Sequence, residues 1–319
     1  MVFTWMIACF AAYNNAAIHS PLSAAHYFFP SSPTPRQRPM TPDDYCQEKA
    51  APSGSSLYYS LLYQASEQRR AIIAVHAFGR EVGAVVDDCR DDDIALQTLQ
   101  WWRTEITRAY AGNATHPVCQ ALQPALAAFE LPQMQFLHII EGHERDLRQA
   151  AYTSFAELEI YCQHVAGALQ QLTAKICGFQ QPETLNYARK LGTAIQFSHL
   201  LRNRDTRRGK IYPPRDEVSQ QAISQKDFIQ ARYGDNMQSL LAAHIARIDD
   251  YFGQALNLLP VQDRAAQRHS LILCAIHRAL LKKWQQKRQK RRRKNNLHAL
   301  NEQISLSPLH KLWIAWRTR

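Results

Sequence analysis

The sequence predicts an all-α fold, and three observations lead to that prediction. Glycine is scarce, with 11 among 319 residues. No stretch shows the sustained alternation of apolar and polar residues that is typical of strands. From about Met40 to Leu281, apolar residues recur at helical spacing, as in Ile72, Val75 and Gly79. The hydrophobic content of 46% and charged content of 20% are those of an ordinary globular domain.

The first 39 residues are predicted to form a separate, disordered extension. Prolines at positions 30, 33, 35 and 39 alternate with serines and cannot continue a helix. The apolar stretch Met1–Tyr13 is short and no basic residue precedes it, so it is a weak match to a secretory signal. Thr41-Pro42-Asp43-Asp44 then provides a helix N-cap, a proline at the first helical position and acids in the first turn. We therefore expect the functional chain to begin at Met40.

Residues 40–281 are predicted to form one helical domain. Its helices are expected to break at Gly112-Asn113, Leu131-Pro132, Gly178, residues 209–214 and Pro260, which are ordinary turn signals. The intervening helices are longer than average, and no repeat of fixed period is visible. Residues 297–319 are interpreted as the C-terminal end of the same domain.

A basic run separates these two parts. Lys282-Lys283, Lys287-Arg288 and Lys290 to Lys294 place nine basic residues within thirteen positions, and removing them would lower the formal net charge from +11 to +2. We interpret residues 282–296 as an inserted segment that favours an anionic membrane surface; the alternative is a solvated extension of a helix. Nucleic acid is not expected as a partner, because Trp284 is the one aromatic residue interleaved with these charges.

The cysteines indicate a reducing compartment. Seven are spread singly, without a CxxC pair, which fits neither a zinc site nor a disulfide framework. No segment reaches the ~20 apolar residues that a membrane-spanning helix needs. We therefore expect a cytoplasmic protein, with peripheral attachment at the inner membrane through the basic run.

Five aspartates form the densest candidate site: Asp87, Asp88, Asp91, Asp92 and Asp93. Aspartates four residues apart share a helix face, so Asp87/Asp91 and Asp88/Asp92 are each predicted to hold Mg²⁺ through oxygen ligands. Such a site keeps open positions for diphosphate oxygens. The alternative interpretation is a solvated acidic helix end, where like charges repel.

Two further stretches contain side chains that could bind phosphate or a metal. Residues 202–212 combine a dense set of basic side chains with one aspartate, which suits either a phosphate-binding edge or an exposed basic turn. Residues 141–146 lack the HExxH spacing of a zinc protease, and Glu141/Arg145 is predicted to be an ordinary helical ion pair. The sequence contains no serine-nucleophile elbow, P-loop or dinucleotide fingerprint.

Several stretches taken together resemble the squalene/phytoene synthase family, and within it the bacterial presqualene diphosphate synthases of hopanoid pathways. The resemblance runs from about Met40 to the C-terminus. The stretches that carry it are Ser56-Leu57-Tyr58-Tyr59-Ser60, Ala77-Phe78-Gly79-Arg80-Glu81-Val82, Trp101-Trp102-Arg103-Thr104-Glu105-Ile106, Tyr161-Cys162-Gln163-His164-Val165-Ala166-Gly167, Arg207-Arg208-Gly209-Lys210-Ile211-Tyr212 and residues 304–313.

The resemblance implies an isoprenoid-synthase-type helical bundle around a central apolar cavity. Two aspartate-rich motifs would face each other and hold Mg²⁺ on the diphosphate of farnesyl diphosphate. Ionisation, attack by a second farnesyl diphosphate and loss of a proton would give presqualene diphosphate, while apolar walls exclude water. The implied catalytic residues are Asp87, Arg80 and Tyr212; the diphosphate-binding residues are Arg80, Gln196, Arg202, Arg207, Arg208 and Lys210; and the metal ligands are Asp87, Asp91 and Asp205.

The chain also departs from the family pattern. The first motif resembles Asp-Asp-Val-Val-Asp-Glu but begins with Gly83 and keeps Asp87. The second motif is two residues short, with Asn203 at its first aspartate, and the shortening rotates Asp205 by roughly half a helical turn. Leu57, His76, Gln163 and His277 stand at positions that are usually aromatic in the family. These losses predict weakened turnover; the alternative is an inactive prenyl-diphosphate-binding relative that partners a functional paralogue.

Overall fold

The computed structural model describes residues 39–202, 213–223, 235–292 and 304–318. Every regular element within these ranges is helical, which confirms the predicted all-α class. The chain from Met40 onward forms one compact unit. The predicted extension of residues 1–39 lies outside the described residues, except for Pro39.

The first half of the domain is organised around one buried helix. Its helices are α1 (Pro42–Ala50), α2 (Ser56–Ser60), α3 (Ser66–Asp88), α4 (Asp92–Tyr110), α5 (Pro117–Ala128) and α6 (Gln133–Arg148). Thr41 caps α1, as the sequence predicts, and in addition forms a reciprocal capping box with Asp44. In the centre of α3, the ring of Phe78 meets Trp102 and Phe136 edge to face, at centroid distances of 5.5 and 5.2 Å. These contacts fix α3 against α4 and α6.

The second half packs around a central helix, α9. Its helices are α7 (Phe155–Cys162), a π-helical turn (Gln163–Gly167), α8 (Ala168–Cys177), α9 (Glu183–Arg202), α10 (Arg215–Gln220), α11 (Asp235–Leu258), α12 (Arg268–Arg292) and α13 (Pro308–Arg317). Helix α9 packs extensively on α11 and crosses the π turn closely. At Gly192 an added Cβ would lie 2.1 Å from the carbonyl oxygen of Ala166, so this crossing requires glycine.

Helices α3 and α9 form two walls that other elements hold apart. Helix α8 contacts both, and the π turn packs against α6 on one side and α9 on the other. The buried carboxylate of Asp263 anchors the start of α9, because it accepts hydrogen bonds from the backbone N–H of Gln180 and Gln181 (2.6 and 3.0 Å) and the hydroxyl of Thr184 (2.6 Å). The gap between the walls is where the candidate site lies.

Helix α12 continues through the start of the basic run. It extends without a break to Arg292, and Trp284 is buried in the core of the second half. The boundary predicted between residues 281 and 282 therefore falls inside a continuous helix, and residues 293–296 lie outside the described residues. Within the described part of the chain, no helix is long and apolar enough to span a membrane.

Candidate active site

One wall of the site is the side of α3 that carries His76, Arg80 and Asp87. Since α3 is helical throughout, His76 and Arg80 are one turn apart on the same face. Arg80 keeps accessible surface, yet the surrounding protein is dense enough to lower the pKa of its guanidinium by desolvation. A side chain with both properties lines a recess, because it is open to water but has protein on most sides.

The opposite wall is the C-terminal end of α9. Arg202 donates from Nε to the carbonyl oxygen of Ser198 at 3.0 Å, and burial lowers its pKa to about 10. His199 also combines accessible surface with a pKa lowered to about 4 by burial and, to a smaller extent, by the charges of Arg202 and Arg80. Gln196 lies one turn earlier and donates from Nε2 to the hydroxyl of Tyr161 at 3.5 Å. The charges of Arg80 on one wall and Arg202 on the other therefore both act on the imidazole of His199.

A third helix, α12, closes the recess with two more imidazoles. Burial lowers the pKa of His277 to about 3, with smaller contributions from Arg202 and His199. His76 has a pKa of about 3 for the same main reason, with His269, Arg80 and His277 as further causes. The rings of His76 and His269 meet edge to face at 6.4 Å. These four histidines and two arginines form one cationic recess: His76, Arg80, His199, Arg202, His269 and His277.

The histidines of this recess are uncharged near neutral pH, because desolvation penalises the imidazolium form. Nε2 of His76 and Nδ1 of His277 are buried without a hydrogen-bond partner among the described residues. Such groups are costly unless a ligand or water binds them. The fixed positive charges of the recess thus come from the arginines, and the imidazoles add hydrogen-bonding nitrogens beside them.

The predicted pairing of Asp87 with Asp91 on one helix face is wrong. Helix α3 ends at Asp88, and Cys89 is extended with φ −83° and ψ 128°. Asp91 begins the next helix as its N-cap, where its Oδ1 accepts hydrogen bonds from the backbone N–H of Asp93 (3.0 Å) and Ile94 (3.2 Å). Asp88 and Asp92 are separated by the same break, so that second predicted pair is also wrong. Asp87 and Asp88 therefore lie at the end of α3, and Asp91 and Asp92 lie at the start of α4.

The described carboxylates do not fit a Mg²⁺ centre on their own. Within the described ranges, no group of three or more His, Cys, Asp or Glu side chains is placed to hold a metal ion. The position of the missing leading carboxylate, Gly83, faces a histidine instead: an added Cβ would lie 3.5 Å from Cε1 of His143. Asp87 remains at the exposed end of α3. Magnesium requires charged oxygen ligands, which this wall supplies only in part.

Residues 141–146 have a structural role. Arg145 donates to Oε1 of Glu141 at 3.1 Å from Nε and 2.6 Å from Nη2, which confirms the predicted helical pair. Glu144 instead receives a bidentate bond from Arg103 of α4, at 2.9 and 2.8 Å. Through Arg103 and Glu144 this stretch joins α4 to α6.

Five site residues proposed from the resemblance lie outside the described residues: Asp205, Arg207, Arg208, Lys210 and Tyr212. Their predicted roles stay predictions. Sequence reasoning noted His76 and His277 singly and did not predict that they share a recess with His199 and His269. The spacings of His76 to Arg80 and of His199 to Arg202 place each pair on one helix face, and that signal could have indicated two histidine–arginine pairs.

Comparison with known proteins identifies the family. The family model for squalene/phytoene synthase matches residues 50–300. A chloroplastic phytoene synthase of Narcissus pseudonarcissus is 30% identical over 66% of this chain, and the match spans 52% of that enzyme's length. The 15-cis-phytoene synthase of Synechococcus elongatus is 29% identical, with 66% of this chain and 73% of that protein covered.

Solved structures give the same result. The squalene synthase HpnC of Alicyclobacillus acidocaldarius superposes with a TM-score of 0.67 at 25% identity, covering 77% of this chain and 94% of that one. A dehydrosqualene synthase solved with a ligand has a TM-score of 0.71 over 87% of this chain, and at 19% identity it supports the fold alone. The chain belongs to the squalene/phytoene synthase family.

Proposed function

We propose that this chain binds farnesyl diphosphate and condenses two molecules head to head to presqualene diphosphate, as a prenyltransferase of isoprenoid, squalene or hopanoid biosynthesis. The observation that carries the proposal is the cationic recess, in which the charges of Arg80 on α3 and Arg202 on α9 both act on the imidazole of His199. A diphosphate is the part of the substrate that needs two converging guanidinium groups. Family membership supplies the reaction class.

In this proposal the arginines bind and orient the diphosphate. Their positive charges would stabilise the negative charge that develops on the leaving diphosphate as the allylic carbon–oxygen bond breaks. Gln196 and the three imidazoles His76, His199 and His277 would supply neutral hydrogen bonds around the same oxygens. Excluding water from the recess would have two effects. It would strengthen these electrostatic contacts, and it would protect the cation that forms from attack by water.

Magnesium is part of the proposal through Asp87 and Asp205, because Asp91 does not share a helix face with Asp87. Asp91 already caps α4, and Gly83 supplies no carboxylate, so the described residues leave the metal with fewer charged ligands than it prefers. We therefore expect weak turnover, with metal ligation as its limiting step.

The test is incubation of the full chain with labelled farnesyl diphosphate, with Mg²⁺ and with chelator, while pyrophosphate release and the prenyl product are followed. Arg80→Gln should lose both substrate binding and product. Arg145→Gln is the matched control, because Arg145 forms a pair on α6 away from the recess. Product formation by Arg80→Gln at the rate of the original chain would overturn the assigned role.

The second candidate function is an inactive prenyl-diphosphate-binding relative that partners a functional paralogue. The loss of the leading carboxylate at Gly83 favours it, while the arginines needed for binding are retained. This alternative predicts thermal stabilisation by farnesyl diphosphate without pyrophosphate release, in Mg²⁺ as well as in chelator. The same incubation therefore separates the two functions.

We also propose a cytoplasmic location with contact to an anionic membrane surface through Lys282 to Lys294. Lys282, Lys283 and Lys290 are exposed on the last turns of α12. Each basic residue near an anionic surface contributes about 1 kcal/mol, reduced by salt. Vesicle binding that responds to neither anionic lipid nor salt would contradict this part of the proposal.

A further inference from the structure

The C-terminal helix α13 carries its largest apolar side chains on the outside. Leu309, Leu312, Trp313 and Trp316 are 78, 44, 48 and 65% exposed. Their positions are i, i+3, i+4 and i+7, so they form one continuous stripe along the helix. We call these four residues the outer stripe. A helix of a globular protein normally turns such a stripe toward the core, so its exposure here needs a reason.

The opposite face of α13 is firmly anchored. Ile314 and Ala315 are buried in a cluster with Ile272 and Ile276 of α12. Lys311, on the same side, donates from Nζ to the carbonyl oxygen of Gly54 at 2.6 Å and is 7% exposed. The helix therefore cannot turn over to bury the outer stripe without losing this packing and the lysine contact.

The chemistry of the outer stripe is that of a membrane interface. Tryptophan is enriched where hydrocarbon meets lipid headgroups, because its ring is apolar and its N–H is a donor. The guanidinium of Arg317 lies 5.1 Å from the ring centroid of Trp313, next to the stripe, where a cation can reach headgroup phosphates.

The neighbouring helix supplies complementary charge. Lys283 of α12 donates from Nζ to the carbonyl oxygen of Ser305 at 2.8 Å, two residues before the N-cap of α13 at Ser307. The contacts of Arg268 with Thr318 at the other end show that α13 runs antiparallel to α12. The basic end of α12 therefore extends just beyond the start of the outer stripe.

We propose that the outer stripe of α13 inserts into the interfacial layer of an anionic lipid bilayer, with the basic end of α12 against the headgroups. The inference deepens the membrane contact proposed above by naming an apolar anchor, and it is independent of catalysis.

A second copy of the chain fits this surface less well. With ~150–250 Å² for a whole large side chain, the exposed parts of the outer stripe add up to roughly 500 Å². A stable protein interface buries about 800 Å² on each partner. The binding of an amphipathic helix to a bilayer scales with the apolar area it buries, and basic residues add attraction to anionic lipid.

The test is sedimentation of the full chain with vesicles of phosphatidylcholine, alone or mixed with phosphatidylglycerol. Trp313→Ala/Trp316→Ala should weaken partitioning to the mixed vesicles at least about tenfold. Met134→Ala/Val261→Ala is the matched control, since these apolar residues are 57 and 81% exposed elsewhere; it should bind like the original chain. Lys282→Gln/Lys290→Gln should weaken binding to the mixed vesicles only, and circular dichroism checks that each variant is folded.

Three results would overturn the inference. The first is an original chain that binds neither kind of vesicle. The second is a Trp313→Ala/Trp316→Ala variant that binds the mixed vesicles as well as the original chain does. If salt abolishes the vesicle binding of this variant, the basic segment is the membrane contact and the outer stripe is not. The third is a dimer in light scattering that the tryptophan substitutions convert to monomer, without lipid binding, which would identify a second copy as the occupant.

Discussion

Replacing His277 with phenylalanine should make the fold less sensitive to acid. In the folded chain burial lowers the pKa of His277 to about 3, and Arg202 and His199 of α9 lower it further in the same direction. In an unfolded chain an imidazole titrates near pH 6.5. Between these values the unfolded state binds more protons than the folded state, so stability present above pH 6.5 is lost as the pH falls toward 3.

The size of the effect follows from the pKa difference. Within this window the free energy of unfolding falls by about 1.36 kcal/mol for each pH unit and each such histidine. Lowering the pH from about 6.5 to about 5 therefore costs at most about 2 kcal/mol for His277. The buried imidazoles of His76 and His269, with pKa values of about 3 and about 4, also lower the stability of the fold as the pH falls through the same window. Together the three approach the whole stability of a typical domain, which is about 5–15 kcal/mol.

Phenylalanine removes both the titration and a buried polar atom. Nδ1 of His277 has no hydrogen-bond partner among the described residues, and burying such an atom costs about 1–3 kcal/mol. Residue 277 is only half-buried, so the larger ring is not fully enclosed. We therefore expect His277→Phe to match or exceed the original chain near neutral pH and to retain about 2 kcal/mol more at about pH 5.

The assay is urea unfolding followed by far-ultraviolet circular dichroism at about pH 7.5, 6 and 5, which gives the free energy of unfolding at each pH. His310→Gln, at an exposed position on α13, is the control and should show the pH dependence of the original chain. Identical pH slopes for His277→Phe and the original chain would refute the reasoning.

Three other predictions concern the extension, the metal motifs and α10. Deleting residues 1–39 should leave the melting temperature nearly unchanged, and a large drop would show that they belong to the fold. Gly83→Asp alone should change Mg²⁺-dependent pyrophosphate release little, whereas its combination with Asn203→Asp and two residues inserted after position 203 should raise release well above the original chain; an already ordinary enzymatic rate would contradict this. The pKa of Glu217 is lowered to about 2, chiefly by His244, whose Nε2 lies 3.0 Å from Oε2, and by Arg247, which donates from Nη1 to Oε1 at 2.7 Å. The stabilisation from this carboxylate is therefore present above about pH 4.5 and is lost as the pH falls toward about 2. Glu217→Gln should lower stability at neutral pH by about 2 kcal/mol, and melting curves that match the original chain would contradict the assignment.

The helical fold could be predicted because its signals are local. The capping box at Thr41 and the ion pair of Glu141 with Arg145 depend on residues three or four positions apart, and the structure has both. The error at Asp87 and Asp91 was also local. The predicted pairing requires one helix face that continues through Cys89, whereas Asp91 followed by two further aspartates is a typical helix start.

The cationic recess could not be predicted in the same way, because tertiary packing assembles it. Its histidines come from α3, α9 and α12, which are far apart in sequence, and their pKa values depend on burial that no local pattern reports. The resemblance to the family predicts that Arg80 and Arg202 are diphosphate-binding residues. The departures at His76 and His277 indicated only that two aromatic positions had changed.

The retained arginines and the missing carboxylate should affect different steps. The arginines act on substrate binding, and the carboxylate acts on ionisation. Arginines attract a diphosphate whether or not a metal is present, and Arg80 and Arg202 both line the recess. A bound metal would offset the negative charge that develops on the leaving oxygens, and its binding would depend on carboxylates such as the one absent at Gly83. Binding should therefore survive the loss of the aspartates better than turnover does. If the proposed function is correct, affinity for farnesyl diphosphate in chelator measures the binding that we expect to be retained, and Mg²⁺-dependent pyrophosphate release measures the turnover that we expect to be weakened. The ratio of these two quantities decides whether the chain acts as a slow synthase or as a binding partner of another synthase.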